Sequence, residues 1–151
     1  GLDDFVIRAP AADPGGNYTG TTYVVFGSTA ALGPTFDLGS LNASNGFFVT
    51  GVSPAAGAST AVASRFAVSG AGDFDGDGFD DLLIGSPGTA DSPPLSGAVY
   101  LMFGASGGFS TSFGLDEFVP NAGFRIDGQA GDFLLGATLD AAGDINGDGY
   151  D

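Results

Sequence analysis

Ten of the eighteen acidic residues of this 151-residue chain fall in or beside one recurring short loop: Asp3, Asp4, Asp73, Asp75, Asp77, Asp80, Asp81, Asp144, Asp148 and Asp151. In Asp73-Phe-Asp75-Gly-Asp77-Gly-Phe79-Asp-Asp81, carboxylates occupy loop positions one, three, five and nine. Packed so closely, they repel one another unless a cation neutralises them. Gly76 and Gly78 permit the tight backbone that turns alternate side chains toward one centre. Hard oxygen donors in that number suit Ca2+, with the backbone carbonyl of Phe79 at position seven. Mg2+ demands stricter octahedral geometry and fewer carboxylates, so it fits less well. The expected ligands are therefore Asp73, Asp75, Asp77, Asp81 and the Phe79 carbonyl. Asp144, Asn146, Asp148 and Tyr150 fill positions one, three, five and seven of a second loop, and Asp4 is a position-nine aspartate near the start of the chain.

The loop is not an EF-hand. That motif closes with a bidentate Glu at position twelve, where this chain has Ile84 inside a strand-like run. Dockerin-like calcium repeats also use Asp-x-Asn-x-Asp-Gly, but on a helical unit of much shorter period.

Other chemistry is largely excluded. The chain has no Cys and no His, which removes thiolate sites, the commonest zinc ligand and the usual serine and cysteine triads. A glycosidase needs two separated carboxylates, yet Glu117 is the only Glu and the aspartates are clustered. The formal charge of −15, with three arginines as the only basic side chains, leaves no basic stripe for nucleic acid or anionic membranes. Arg8, Arg65 and Arg125 are expected to pair with nearby carboxylates rather than to recognise a ligand. Tyr18, Tyr23, Tyr100 and Tyr150 could stack on sugars, but three lie on strand-like runs or metal loops and are expected to serve as core or wall.

The elements that position the loops follow from composition and repetition. Hydrophobic residues make up 43% of the chain and charged residues only 14%, so a core can form despite the acidity. Gly, Phe and Val in abundance suit short strands joined by tight turns, and no apolar run approaches the length of a membrane-spanning helix. Gly78-Phe-Asp-Asp-Leu-Leu-Ile84 repeats Gly1-Leu-Asp-Asp-Phe-Val-Ile7 at an offset of 77, as Gly97–Gly104 repeats Gly20–Gly27. Ala142–Gly149 repeats Ala71–Gly78 at an offset of 71. The chain thus divides into repeats at 1–77 and 78–148, with 149–151 opening a third. Strands are predicted at about 61–71, 80–86, 97–104 and 122–128, with further strands around 3–9 and 132–143. The stretches 11–19, 28–45, 87–96 and 105–121 read as loops. Four strands in a repeat of this length predict all-β propeller blades of four antiparallel strands, their faces buried by stacking on neighbours.

These units resemble FG-GAP repeats, the blades of the integrin α-subunit head and of many bacterial surface proteins. The match is carried by the loop at 73–81, by Asp81-Leu-Leu-Ile-Gly-Ser-Pro87 and by Gly97–Gly104, while Asp132–Leu139 resembles the family's Phe-Gly strand with an insertion. Ser64-Arg65-Phe66 departs from the Phe-Gly pair. The resemblance implies a calcium-stiffened β-propeller whose metal loop joins the first and second strands of a blade. It also implies a ring, commonly of seven blades, that two repeats cannot close.

The expected function is a non-catalytic, calcium-binding extracellular module for adhesion, scaffolding or assembly. The alternative is a propeller region supporting a secreted phospholipase- or glycosidase-like hydrolase whose catalytic domain lies elsewhere. The expected partner is a protein or glycan ligand on a surface, or neighbouring copies of the chain itself, in a head-to-tail oligomer or a longer repeat array. The expected location is extracellular or at the cell surface.

Overall fold

Short runs of Val, Ile, Phe and Tyr, each stopped by Gly, Pro or Asp, become eight strands among the described residues. They are β1 (Phe5–Ala9), β2 (Thr21–Val25), β3 (Gly46–Thr50), β4 (Val68–Gly72), β5 (Asp81–Ser86), β6 (Ala98–Met102), β7 (Ser112–Gly114) and β8 (Gly123–Asp127). The computed structural model describes residues 2–12, 19–30, 33–52, 66–88, 96–129 and 134–151. Among these the only helical pieces are one-turn 3-10 segments at Leu38–Ser40, Leu115–Glu117 and Pro120–Ala122.

The strands form two four-stranded sheets, ordered β1-β2-β3-β7 and β4-β5-β6-β8. The second sheet is wholly antiparallel, and its strands lie on the four predicted runs, β4 extending one residue past the run at 61–71; of that run, residues 61–65 lie outside the described residues. All five residues of β6 are buried, as expected for a strand with apolar side chains on both faces. This is the blade architecture that the repeats predicted.

The first sheet differs in one respect. The stretch 105–121, predicted as loop, contributes β7, which pairs parallel with β3 through Phe48–Ser112, Val49–Phe113 and Thr50–Gly114. The Phe48 N–H donates to the Thr111 carbonyl at 2.9 Å. Phe109 stacks on Phe47 with ring centroids 4.3 Å apart, and Phe118 meets Tyr100 edge-on at 5.3 Å. A long connection of the second repeat therefore clasps the outer edge of the first.

The predicted strand around 132–143 is also corrected. Its described residues, 134–143, form only one bridge, Leu135 with Gly97. A strand exists through its partner's hydrogen bonds, and among the described residues this stretch forms no ladder beyond the contacts of Leu135 and Gly136 with Ser96, Gly97 and Ala67.

One core joins the two sheets. Val24, Phe47 and Val49 on the first share a buried cluster with Ile84, Ala98, Tyr100 and Met102 on the second, and with Leu115 of the clasping stretch. Tyr100 is thus core, and Tyr23 is a half-buried wall residue against Phe48. Tyr18 and Arg65 lie outside the described residues.

For Arg8 the described partners are neutral groups. Among the described residues it has no carboxylate partner. Its guanidinium donates to Thr22 Oγ1 at 3.0 Å and to the Thr19 carbonyl at 3.1 Å, and it stacks over the Phe66 ring at 4.1 Å. Burial pulls its pKa down to about 10. Arg8 thereby links β1 to the segment entering β4. Arg8→Ala removes two hydrogen bonds and a cation–π contact, and chemical denaturation will show a loss of about 1–3 kcal/mol. Arg125 does pair with a carboxylate, that of Asp127, at 2.6 Å.

Candidate metal centre

The loop 73–79 leaves β4 and delivers the chain to β5, joining the first two strands of the second sheet. Gly76 and Gly78 have φ of 77° and 92°, a region nearly closed to side-chain-bearing residues, and this lets the chain coil around its own carboxylates. The Asp77 N–H donates to Asp75 Oδ1 at 3.1 Å, the Gly78 N–H to Asp73 Oδ2 at 2.9 Å, and the Phe79 N–H to Asp77 Oδ1 at 2.9 Å.

Coiling brings one carboxylate oxygen each from Asp73, Asp75 and Asp77 within 4.8 Å of one another. Asp75 and Asp77 are exposed, whereas Asp73 is half-buried. The second oxygen of Asp73, Oδ1, is buried without a hydrogen-bond partner among the described residues. A buried carboxylate oxygen lacking a donor is costly. An oxygen-seeking cation held by the triad would supply the missing partner, so the donor set fits Ca2+.

Asp81 is not in that triad. It is 3% exposed, and each of its oxygens already accepts a backbone N–H: Phe74 at 2.9 Å and Gly104 at 2.8 Å. Burial pushes its pKa up, and Asp75 and Asp77 add to the rise, while the two backbone bonds oppose it. Asp81 thus buttresses the loop, tying its first turn to the end of β6. Each of its oxygens retains a second lone pair for an ion.

Gly104 is a part of the site that the spacing of acids did not reveal. A Cβ there would lie 2.6 Å from the Asp80 carbonyl oxygen, so only glycine brings this N–H against Asp81. The first repeat reproduces the arrangement 77 residues earlier: the Gly27 N–H donates to Asp4 Oδ1 at 2.7 Å, and a Cβ on Gly27 would lie 2.5 Å from the Asp3 carbonyl oxygen. The recurrence of glycine at this offset was the available signal.

The second loop repeats these three bonds, but its Asp144 Oδ1 also accepts the Gly147 and Asp148 N–H groups, at 2.6 and 3.1 Å, where Asp73 Oδ1 accepts none among the described residues. The Gly149 N–H donates to Asp144 Oδ2 at 2.8 Å, the Asp148 N–H to Asn146 Oδ1 at 3.0 Å, and the Tyr150 N–H to Asp148 Oδ1 at 3.1 Å. Gly147 and Gly149 repeat the positive φ values, at 74° and 97°. Backbone donors, the Gly149 N–H foremost, hold the Asp144 carboxyl below its ordinary pKa. The loops touch: a Cβ on Gly76 would strike the Tyr150 ring.

Residues 66–102 match the FG-GAP repeat family. The chain is 33% identical over 150 residues, 98% of its length, to a phosphatidylinositol-glycan-specific phospholipase D from Bos taurus. It is 35% identical over 82 residues, 54% of its length, to integrin alpha-2 from Mus musculus. It spans only 16% and 6% of those relatives' own lengths.

Proposed function

We propose that this chain, which carries an FG-GAP repeat, is a non-catalytic, calcium-binding β-propeller module of a surface or secreted protein. The observation that carries the reading is the Asp73–Asp75–Asp77 triad with its orphan buried oxygen, on a loop fold that recurs in the chain. Asp73, Asp75, Asp77, Asp81 and the Phe79 carbonyl would hold one ion. Asp144, Asn146, Asp148 and the Tyr150 carbonyl would begin a second shell of the same kind, and Asp4 has the place of Asp81 in the first repeat. The ion would brace the turn between first and second strands rather than activate a substrate. Repeats at 1–77 and 78–148, with a third opening at 149–151, are the units of this reading.

Among the described residues no helix is long and apolar enough to cross a membrane. Location outside the cell rests on the kinship with integrin alpha-2 and on calcium-loop chemistry, since weak oxygen sites fill where calcium is millimolar. Calorimetric titration of Ca2+ into the apo chain tests the site: a saturable heat lost in Asp75→Ala supports it, and no heat above dilution refutes it.

A second reading is favoured by one observation. The match to the phospholipase D covers nearly the whole chain, so the module would there support a hydrolase whose catalytic domain lies elsewhere. Both readings expect the purified chain to be inert toward phosphodiester, ester and glycoside substrates. Turnover abolished by substituting an Asp or Tyr of the chain would overturn that expectation.

A further inference from the structure

Two Asn-Gly dipeptides occur in the chain, Asn45-Gly46 and Asn146-Gly147. Such a pair carries a reaction of its own. The glycine nitrogen, on losing its proton, attacks the asparagine side-chain carbonyl carbon, because glycine has no Cβ to obstruct the approach. The fold decides the outcome by how firmly it holds the two groups apart, and the two sites differ in that respect.

At Asn45-Gly46 the backbone and the side chain are both fixed. Gly46 is buried and opens β3, opposite Val25. Its N–H donates to the Asn42 carbonyl at 3.1 Å, and the Asn45 carbonyl accepts the Phe26 N–H at 3.0 Å. The half-buried Asn45 side chain is held at both atoms: Oδ1 accepts the Asn42 N–H at 2.8 Å, and Nδ2 donates to the Ser40 carbonyl at 3.2 Å. The backbone is crowded as well, since a Cβ on Gly46 would lie 2.2 Å from the Val24 carbonyl oxygen. Closing a ring here requires the end of the β2–β3 ladder to open.

Asn146-Gly147 lacks this support. Both residues are exposed, and a Cβ on Gly147 would meet nothing within 4 Å. The Asn146 side chain bonds only to Asp148 among the described residues, Oδ1 accepting its N–H at 3.0 Å and Nδ2 donating to its Oδ2 at 2.7 Å. Water competes for exposed bonds of this kind. The Gly147 N–H donates to Asp144 Oδ1 at 2.6 Å, so the proton that ring closure removes already lies against a carboxylate. This exposure belongs to the loop and not to its place in the chain: Asp75 and Gly76, the same positions of the internal loop, are exposed too.

We infer that Asn146 is a site of spontaneous deamidation, and that the fold shields Asn45 from the same reaction. The Gly147 nitrogen gives up its proton and bonds to Asn146 Cγ. The Cγ–Nδ2 bond breaks, and Nδ2 leaves as ammonia with a proton in place of that bond. Water then opens the cyclic imide. Addition at Cγ leaves aspartate on an ordinary backbone. Addition at the main-chain carbonyl carbon leaves isoaspartate, with the chain running through Cβ and Cγ. The first product gives the second loop a carboxylate at position three, where the first loop has Asp75. The second lengthens the backbone by a methylene and upsets the spacing on which the Gly149–Asp144 bond depends. The charge and geometry of the loop therefore change with the age of the molecule. None of this rests on calcium binding.

The test is made on the whole chain, kept in chelator at mildly alkaline pH. Samples drawn over time are digested and read by mass spectrometry, with protein isoaspartyl methyltransferase labelling the isoaspartate. The mass gain of amide-to-acid conversion will accumulate at Asn146 more than about tenfold faster than at Asn45, which reacts only in molecules opened locally at the sheet end. In denaturant, where both dipeptides are free, the two rates will converge. An Asn146→Ser chain, shown to fold by circular dichroism, will lose the early conversion and the early label. Equal rates at the two sites of the folded chain, or faster conversion at Asn45, overturn the inference. So does an Asn146 that stays intact in the folded chain while the denatured chain converts, or an early label that survives Asn146→Ser.

Discussion

Ca2+ will raise the melting temperature of the chain, and a chelator will lower it. A ligand that binds only the folded form stabilises it by about 2.7 kcal/mol at a hundredfold excess over its dissociation constant. For a domain of this size that corresponds to a rise of roughly 5–10 °C. Asp75→Ala will abolish most of the rise. Asp75 is exposed, and its hydrogen bond within the loop is to the N–H of Asp77, so the same variant in chelator will melt near the wild type. Losing that bond and relieving repulsion among the three carboxylates act in opposite directions. Differential scanning calorimetry with and without calcium measures both terms, and identical wild-type curves in the two conditions would refute the metal reading.

Asp81→Ala will behave differently. Both oxygens of Asp81 accept backbone N–H groups, and the one to Gly104 joins a buried pair. Removing the carboxylate strands two donors, at about 2–4 kcal/mol, or roughly 10 °C in melting temperature. The loss will appear in chelator as well as in calcium, because the bonds exist without the ion. Comparing the two variants in the two conditions separates a group that serves the cation from one that also holds the loop to the sheet. A normal melting curve for Asp81→Ala in chelator would show that the buttress contributes nothing.

The strands of the second sheet were legible because proline, glycine and aspartate punctuate apolar runs at the offsets of the first repeat. The loop at 73–79 was legible because ligand spacing is a local property of sequence. The role of Asp81 was legible only in part: its position-nine place is local, but its bond to Gly104 spans 23 residues and depends on β5 and β6 being neighbours. β7 could not be read at all. Ser112-Phe113-Gly114 has no alternation to mark a strand, and it becomes one only because the edge of β3 lies beside it. The segment 134–143 errs in the opposite direction, carrying a repeat's sequence but, among the described residues, only a single bridge where a ladder would make it a strand.

The clasp of β7 onto β3 also sets an order in time. Thr50 Oγ1 bonds the Phe113 carbonyl across 63 residues, a separation far greater than that of any hairpin in either sheet. Contacts of such range form late, because the entropy of closing the loop is lost before the contact repays it. During synthesis the first blade therefore leaves the ribosome with its outer edge bare and stays so until most of the second has followed. The two blades are consequently not independent modules: the first acquires its finished edge only when the second supplies it, and the pair matures as one cooperative unit.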